Sequence, residues 1–483
     1  MDRNLNEFEN SLATALLFVD TILAGDVVSA DGQYRQFADS YFSGKNLPAV
    51  YHLQEAQAIR DNRNKREPRK EFVASFLERA TDDYLKAVNY LTDENLIAFS
   101  PLRFQAIQDT LQASQILLST KIAELGLIDL AGSLALQLLD DTSYEHCFRT
   151  VYETEPMLFD VRSDLVKVEE LLGALGFSSQ KWGGLEQAVS GWRTAFAVIP
   201  DHLAREVRNI RRENRKLVYK NVLPHLPDFF DKKGGNRING LQFLPVKDVW
   251  FSGSSNYYGV NHETGKETFA GNFQLNVDRL TPGSKSIYEL QLLLLHEDVP
   301  GHHLDNLIRH HNFRTGYYGF EETISTMLTP AVGAAEGLGN VAPLLAYGVT
   351  HQDELPNKHL QVAYVLARLV DTMKQNACYM VRIQGMTAEE IIPELMKNHL
   401  VNKVFATGIA KGWAGDPLVA GAYAPAYALG TEISEAILSE HGVAKGIQIL
   451  YGVNQNYRNN VKQLRTQFGH LLLPETTHYR KIA

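Results

Sequence analysis

Apolar residues recur at intervals of three and four positions through most of the first 220 residues. The pattern is clear over 71–91, 101–127 and 161–175, and it predicts amphipathic helices that each bury one face. Over 205–220, arginines and lysines interleave with glutamates, which indicates a further helix with a solvated face. We therefore expect the N-terminal part of the chain to be helical.

Glycines and prolines divide the chain between residues 224 and 276 into short runs. The runs at 241–244, 248–251 and 268–275 alternate like strands and predict a small antiparallel sheet. The last run, 269–276, is a candidate edge strand on which an extended peptide could pair its backbone. A strand with a purely structural role is equally consistent with this pattern.

Helical spacing returns after Ser284 and continues through a long amphipathic segment over 358–378. Thr387 and Glu390 have the spacing of a helix capping box. The stretch 412–428 is rich in glycine, alanine, proline and tyrosine and predicts a loop and helix entry beside a site. The predicted fold class is mainly α with a small antiparallel β-sheet.

Composition narrows the class of protein. The chain has 483 residues, of which 45% are hydrophobic and 21% charged, as in ordinary globular proteins. Its formal net charge of −9 argues against general nucleic-acid binding. Two cysteines, Cys147 and Cys378, provide no disulfide framework, and we find neither a signal-peptide pattern nor an apolar run of about 20 residues. These features predict a cytoplasmic protein that binds neither nucleic acid nor membrane, and they leave its oligomeric state open.

The run HEDVPGHH, residues 296–303, follows four consecutive leucines. An apolar helix that ends in a His-Glu pair is typical of zinc hydrolases, in which a second histidine four residues later shares the same face. Here His302 comes six residues after His296, a rotation of about 240° in a regular helix. Pro300 and Gly301 can distort the helix and return His302 to the position that the fourth residue normally occupies.

Two alternatives remain open for this run. His303 could be the ligand in place of His302, and the two histidines could form only a polar helix cap. However, polar side chains placed directly after four leucines need a partner because burying them unpaired is costly. A divalent cation is the simplest such partner.

A zinc hydrolase has a third protein ligand, which is normally a glutamate on a following helix. Glu336 is the leading candidate because the small residues around it would allow its helix to approach a metal closely. Glu321 and Glu322 are the alternatives.

The chain resembles a bacterial domain-of-unknown-function family of gluzincin-like metalloproteins with the signature H-E-x-x-P-G-H-H. The signature is complete over residues 296–303. Later elements are similar in order and rough spacing, and the resemblance covers about residues 225–440. These later elements are a helix that begins at Glu336, a helix that contains Ala367 and Asp371, a turn that begins at Gly385 and a tyrosine-containing segment that begins at Ala426.

The resemblance implies a mostly helical, gluzincin-like metallopeptidase fold with Zn²⁺ held by His296, His302 and Glu336. Glu297 would be the general base that takes a proton from the attacking water. Tyr427, and after it Tyr423, would donate to the developing oxyanion.

Three residues are candidates for substrate binding. Arg368 could orient a substrate carboxylate, although a salt bridge to Asp371 within its helix is the alternative. Asn272 and Tyr258 could line a cleft from the side of the sheet, or simply pack within it.

The expected function is hydrolysis of amide or peptide bonds in short peptides or a small amide metabolite. Leu338 and Gln375 stand where the family has tryptophan and histidine. This difference favours, as the alternative, a metal-dependent lyase or a non-peptide hydrolase. A non-catalytic, metal-stabilised binding protein is the third hypothesis.

The predicted organisation is a helical N-terminal lobe over 1–222 and a catalytic lobe over 223–483, with the sheet within 223–283.

Overall fold

The computed structural model describes residues 143–226, 241–247, 252–261, 266–280, 283–314, 330–416 and 419–452, with residues 460 and 461 and scattered positions from 85 to 126. Within these residues the fold is mainly helical with one small sheet, which confirms the predicted class in its broad form. The helices are α1 (Tyr144–Tyr152), α2 (Arg162–Ala174), α3 (Ser179–Trp182), α4 (Leu185–Ala195), α5 (Leu203–Asn221), α6 (Ile287–Glu297), α7 (His302–Arg314), α8 (Pro330–Tyr347), α9 (Lys358–Arg382), α10 (Ala388–His399), α11 (Lys403–Gly408) and α12 (Ala424–Leu450). Two π-helical segments, Ile409–Trp413 and Val419–Tyr423, lie between α11 and α12.

Several helices lie where the spacing of apolar residues predicted them. Helices α2, α5 and α9 correspond to the predicted segments at 161–175, 205–220 and 358–378. Thr387 and Glu390 form the predicted capping box at the start of α10. The loop predicted over 412–428 consists largely of π-helical turns and the first turn of α12. The predictions for 71–91 and 101–127 lie largely outside the described residues.

The sheet has three strands, β1 (Leu241–Val246), β2 (Gly253–Asn261) and β3 (Lys266–Asn276), in the order β1-β3-β2. Strands β2 and β3 are antiparallel, but β1 and β3 are parallel, so the predicted all-antiparallel sheet is wrong. The physical reason lies in the connection after β1. Val246 is opposite Asn276 and Gly253 is opposite Leu275, so β1 ends and β2 begins on opposite sides of the same end of β3.

The predicted edge strand at 269–276 is also wrong, because β3 lies between the other two strands. Alternation of side chains assigns the faces of a strand but does not identify its neighbours. Within the described part of the sheet, β1 and β2 form the edges.

Two apolar clusters form the core within the described residues. The larger one joins most of the helices and includes Val218, Leu295, Leu338, Leu366 and Ile437. It therefore contains side chains from both sides of the boundary predicted at residue 222. The smaller cluster packs the sheet against α5 and α6.

Helix α8 packs directly against α12, backbone to backbone. A Cβ atom added to Gly337 would lie 2.2 Å from the carbonyl oxygen of Gly430, and one added to Gly430 would lie 2.1 Å from that of Gly333. These distances leave no room for a side chain at the crossing. No helix in the described part of the chain is long and apolar enough to cross a membrane.

Candidate metal centre

Helix α6 carries the first two residues of the motif. Ser286 caps it, since its hydroxyl accepts the backbone N–H of Glu289 while the Glu289 carboxylate accepts the backbone N–H of Ser286. Arg193 of α4 forms a salt bridge with the same carboxylate, with 2.8 Å between Nη2 and Oε1. The leucines of the apolar run pack into the two core clusters, so the start and the sides of α6 are both fixed.

The helix ends at Glu297, and a new helix, α7, begins at His302. Asp298 leaves the helical conformation with φ −94° and ψ −117°. Gly301 then passes so close to α6 that a Cβ there would lie 1.7 Å from the carbonyl oxygen of His296, which only glycine allows. The distortion expected from Pro300 and Gly301 is thus a complete break between two helices.

The break brings His296 and His302 together. Their ring centroids are 4.5 Å apart and the ring planes are nearly perpendicular. Oε2 of Glu336 lies 3.5 Å from Nε2 of His296 and 3.7 Å from Nε2 of His302. Potential ligand atoms of all three side chains lie within 4.8 Å of one another. The structure thus brings together the three residues predicted as metal ligands.

Glu336 reaches this position because α8 approaches α6 closely at Gly339. A Cβ on Gly339 would lie 2.7 Å from both Cε1 and Nδ1 of His296, so the imidazole lies against bare backbone. The small residues around Glu336 therefore have the role expected from the sequence.

The three side chains interact strongly through their charges. Burial by itself would raise the pKa of Glu336, but hydrogen bonds and charges from His296 and His302 outweigh it and hold this pKa well below its usual range. Burial would lower the pKa of His302, yet the hydrogen bond and charge of Glu336, with smaller contributions from Glu297 and Asp305, raise it to about 9. In this arrangement a proton on His302 balances the Glu336 charge, and a bound cation would replace that proton.

Glu297 lies beside the cluster and against strand β2. A Cβ atom added to Gly253 would lie 3.2 Å from Oε1 of Glu297. The backbone N–H of Ser255 donates to the Glu297 carboxylate. Burial raises the pKa of Glu297, although the charges of His296 and His302 act in the opposite direction. The outer edge of β2 therefore faces the predicted general base.

Two tyrosines complete this side of the centre. The Tyr423 hydroxyl donates to Oε1 of Glu336 at 3.3 Å and lies 2.6 Å from the Tyr427 hydroxyl. Burial, followed by the Glu336 charge, holds the pKa of each phenol well above its usual range, so both remain protonated at neutral pH. Tyr423 is therefore the nearer of the two predicted donors, and Tyr427 lies behind it.

Sequence reasoning missed a group of side chains packed around these tyrosines. Trp413 stacks on Tyr423 with 5.2 Å between ring centroids. Nζ of Lys374 lies 3.0 Å from the centroid of the Tyr427 ring and 3.0 Å from Oδ1 of Asp371. Asp371 is buried and close enough to His296 and Glu336 for their charges to act on its pKa, which burial raises. The spacing of Asp371 and Lys374, one helical turn apart, is the sequence signal that could have indicated this ion pair.

The remaining predicted residues lie elsewhere. His303 is fully buried with its ring 6.0 Å from that of Tyr257, and it does not belong to the cluster of His296, His302 and Glu336. Arg368, predicted to bind substrate or to pair with Asp371, instead pairs with Glu435 at 3.0 Å, while Asp371 pairs with Lys374. Glu321 and Glu322 lie outside the described residues.

Asn272 and Tyr258 belong to the sheet. Asn272 is buried on the central strand β3 and alternates with Phe273, which packs in the same core cluster as Leu290 and Leu294 of α6. Its side chain therefore lies on the sheet face away from α6. Tyr258 lies opposite Ala270 in the register of β2 and β3.

No protein-family model matches the sequence, and no curated protein sequence matches it significantly. Among solved structures, the fold is similar to a protein from Colwellia psychrerythraea described as a "putative lipoprotein", with 13% identity and a TM-score of 0.49 over 89% of this chain and 75% of that one. A "putative lipoprotein of unknown function" from Shewanella oneidensis is similar at 14% identity and a TM-score of 0.47, over 89% of this chain and 81% of that one.

These descriptions correct the predicted cytoplasmic location. A lipoprotein is anchored to a membrane by its covalent lipid, whereas the sequence-based prediction rested on finding no targeting pattern and few cysteines. We therefore withdraw that prediction and assign no compartment to this chain.

Proposed function

We propose that this protein is a metal-dependent hydrolase, with Zn²⁺ as the metal, that cleaves amide bonds in short peptides or in a small amide metabolite. The observation that carries the proposal is the triangle of His296, His302 and Glu336. Two imidazole nitrogens and one carboxylate oxygen are the ligand set of a common class of zinc hydrolases, which leave a fourth position open.

The residues present fit such an ion. Oε2 of Glu336 is buried and faces Nε2 of both histidines, at 3.5 Å from His296 and 3.7 Å from His302, which is long for a hydrogen bond. Weak pairing of a buried carboxylate oxygen is costly, and a cation between these atoms would satisfy it.

Charge balance supports a divalent ion. When Glu297, Glu336 and Asp371 are ionised, Lys374 offsets one of the three negative charges. Two negative charges remain in a largely buried region, and one divalent cation would neutralise them. A bound zinc ion supplies Lewis acidity and lowers the pKa of water from about 15.7 towards 7.

Within this proposal, the side chains of the protein move the proton and stabilise charge. Glu297 takes the proton from the water molecule that attacks the substrate carbonyl and transfers it to the leaving amine nitrogen. Tyr423, supported by the hydroxyl of Tyr427, turns its single O–H from Glu336 and donates it to the oxygen on which negative charge develops. The burial of Glu297 raises its pKa, which suits a group that must both accept and release a proton.

Strand β2 provides a place for an extended substrate. Gly253 and Ser255 lie against Glu297, and β2 has no neighbouring strand on its outer side within the described part of the sheet. A peptide could pair its backbone along this edge and present a carbonyl to Glu297. In this proposal, β2 replaces the segment 269–276 as the substrate-binding strand.

The test is the Glu297→Gln variant, assayed with a panel of free and end-blocked di- and tripeptides. Glutamine keeps the shape of the side chain but cannot take a proton, so we expect turnover to fall by about 10²- to 10⁴-fold with unchanged metal content. Glu394→Gln, at an exposed position of α10, is the matched control and should keep full turnover. Full turnover by Glu297→Gln would show that Glu297 is not the general base.

A further inference from the structure

The break between α6 and α7, residues 298–301, receives a contact from each of two distant parts of the chain. One comes from Arg211 in the middle of α5, and the other from Tyr451 at the end of α12. The chain separation is 87 residues for the first contact and 151 for the second. Both contacts end on the four residues that set the position of His302 relative to His296.

The first contact is a buried ion pair. Nε of Arg211 donates to Oδ2 of Asp298 at 2.6 Å, and Nη2 donates to the carbonyl oxygen of Leu241 in β1 at 2.8 Å. The Asp298 side chain is 3% exposed, and its Oδ1 has no hydrogen-bond partner among the described residues. Because Asp298 directly follows Glu297, Arg211 ties the end of α6 to both the sheet and α5.

The second contact holds the backbone of the break. The hydroxyl of Tyr451 donates to the carbonyl oxygen of Pro300, and the tyrosine is fully buried. This carbonyl belongs to the residue between Val299 and Gly301, where the chain turns towards α7. A hydrogen bond there limits the rotation of the peptide group that leads into His302.

We infer that Arg211 and Tyr451 are positioning residues that hold His296 and His302 at the separation a metal ion requires. The inference rests on the proposed function. Isolated helices joined by a four-residue break have many relative orientations, and fixing one of them in advance removes an entropic cost from metal binding. Groups that orient metal ligands from behind commonly contribute 10- to 100-fold to metal affinity.

The test measures Zn²⁺ affinity of the full chain by competition with a chromophoric chelator, together with the visible spectrum of the Co²⁺ form. Tyr451→Phe removes only the hydroxyl, and we expect about tenfold weaker Zn²⁺ binding and an altered Co²⁺ spectrum. Tyr364→Phe is the matched control. It removes the hydroxyl of another buried tyrosine, which donates to Glu435 at 2.9 Å, and it should leave both readouts unchanged.

A second pair of variants keeps the test decisive if one protein folds poorly. Asp298→Asn removes the charge that Arg211 holds, and we expect it to weaken Zn²⁺ binding by about tenfold. Glu435→Gln makes a comparable change in the Arg368–Glu435 pair, which joins α9 to α12, and should leave Zn²⁺ affinity unchanged.

Three outcomes are informative. Equal Zn²⁺ affinity in the unmodified protein, Tyr451→Phe and Asp298→Asn would overturn the positioning role and leave the metal centre intact. Equal losses in these variants and in their controls would also overturn it, because a general loss of stability would then explain the effect. Absence of Zn²⁺ binding by the unmodified protein would overturn the proposed function together with this inference.

Discussion

At the scale of single residues, two glycines determine where the predicted ligands lie. Gly301 allows the break to pass against the carbonyl of His296, and Gly339 allows the imidazole of His296 to lie against α8. Neither glycine offers a ligand atom. Each instead lacks the Cβ atom that would collide with His296 and prevent His296, His302 and Glu336 from lying together.

The role of Gly339 can be tested by its replacement with alanine. Since the added methyl group would lie 2.7 Å from two atoms of the His296 ring, the imidazole must shift, and we expect Zn²⁺ affinity to fall by about tenfold or more. Chelator competition measures this change. Gly408→Ala in α11 is the control, because a Cβ there meets no atom within 4 Å. Unchanged affinity in Gly339→Ala would show that the close approach has no role in ligand placement.

The proximity of His296 and His302 could be predicted from sequence because the motif combines rare features in a short span. Four leucines, a His-Glu pair and a Pro-Gly step leave few structural solutions for residues 292–303. The choice between His302 and His303 could not be made in the same way. It depends on the direction in which α7 leaves the break, and that direction is set by contacts with residues far away in the chain.

At the scale of elements, helices were predicted more reliably than the sheet. The helical period follows from local spacing, so α2, α5 and α9 lie where the pattern indicated. Strand order and direction depend on which segments meet, and the parallel pairing of β1 with β3 has no local signal. The basic face of α5 shows the same limit, because Arg211 is buried against Asp298 while Arg208 and Arg212 are exposed.

Helix α10 carries a histidine that should make stability depend on pH. His399 is buried at the end of α10 with Nδ1 2.6 Å from the carbonyl oxygen of Leu369, and burial lowers its pKa to about 4. Between pH 6.5 and 4 the unfolded chain binds a proton at this position that the folded protein does not. The stabilisation is therefore complete above pH 6.5 and is lost as the pH falls towards 4, by up to about 3 kcal/mol.

His399→Gln should remove this part of the pH dependence. The amide can still donate to Leu369, and it does not titrate, so the free energy of unfolding should change less between pH 6.5 and 4 than in the unmodified protein. Urea unfolding at a series of pH values measures the difference. His202→Gln, at an exposed position, should behave like the unmodified protein. Parallel pH profiles for His399→Gln and the unmodified protein would contradict this explanation.

At the scale of the whole molecule, the candidate centre is built from segments spread along most of the described chain. Helices α6, α7 and α8 carry the three predicted ligands, and α9, α12 and the second π-helical segment carry the surrounding charges and phenols. Helix α5 and the end of α12 hold the break. A single core cluster joins these helices, so the geometry of the centre depends on the packing of the molecule as a whole.

The most direct test of the account is the zinc content of protein purified without a chelator and without an affinity tag, measured by elemental analysis beside His296→Ala. We predict close to one zinc ion per chain in the unmodified protein and a loss of that ion in the variant. A protein that holds no metal even after zinc addition and dialysis would contradict the account, as would a variant with undiminished zinc.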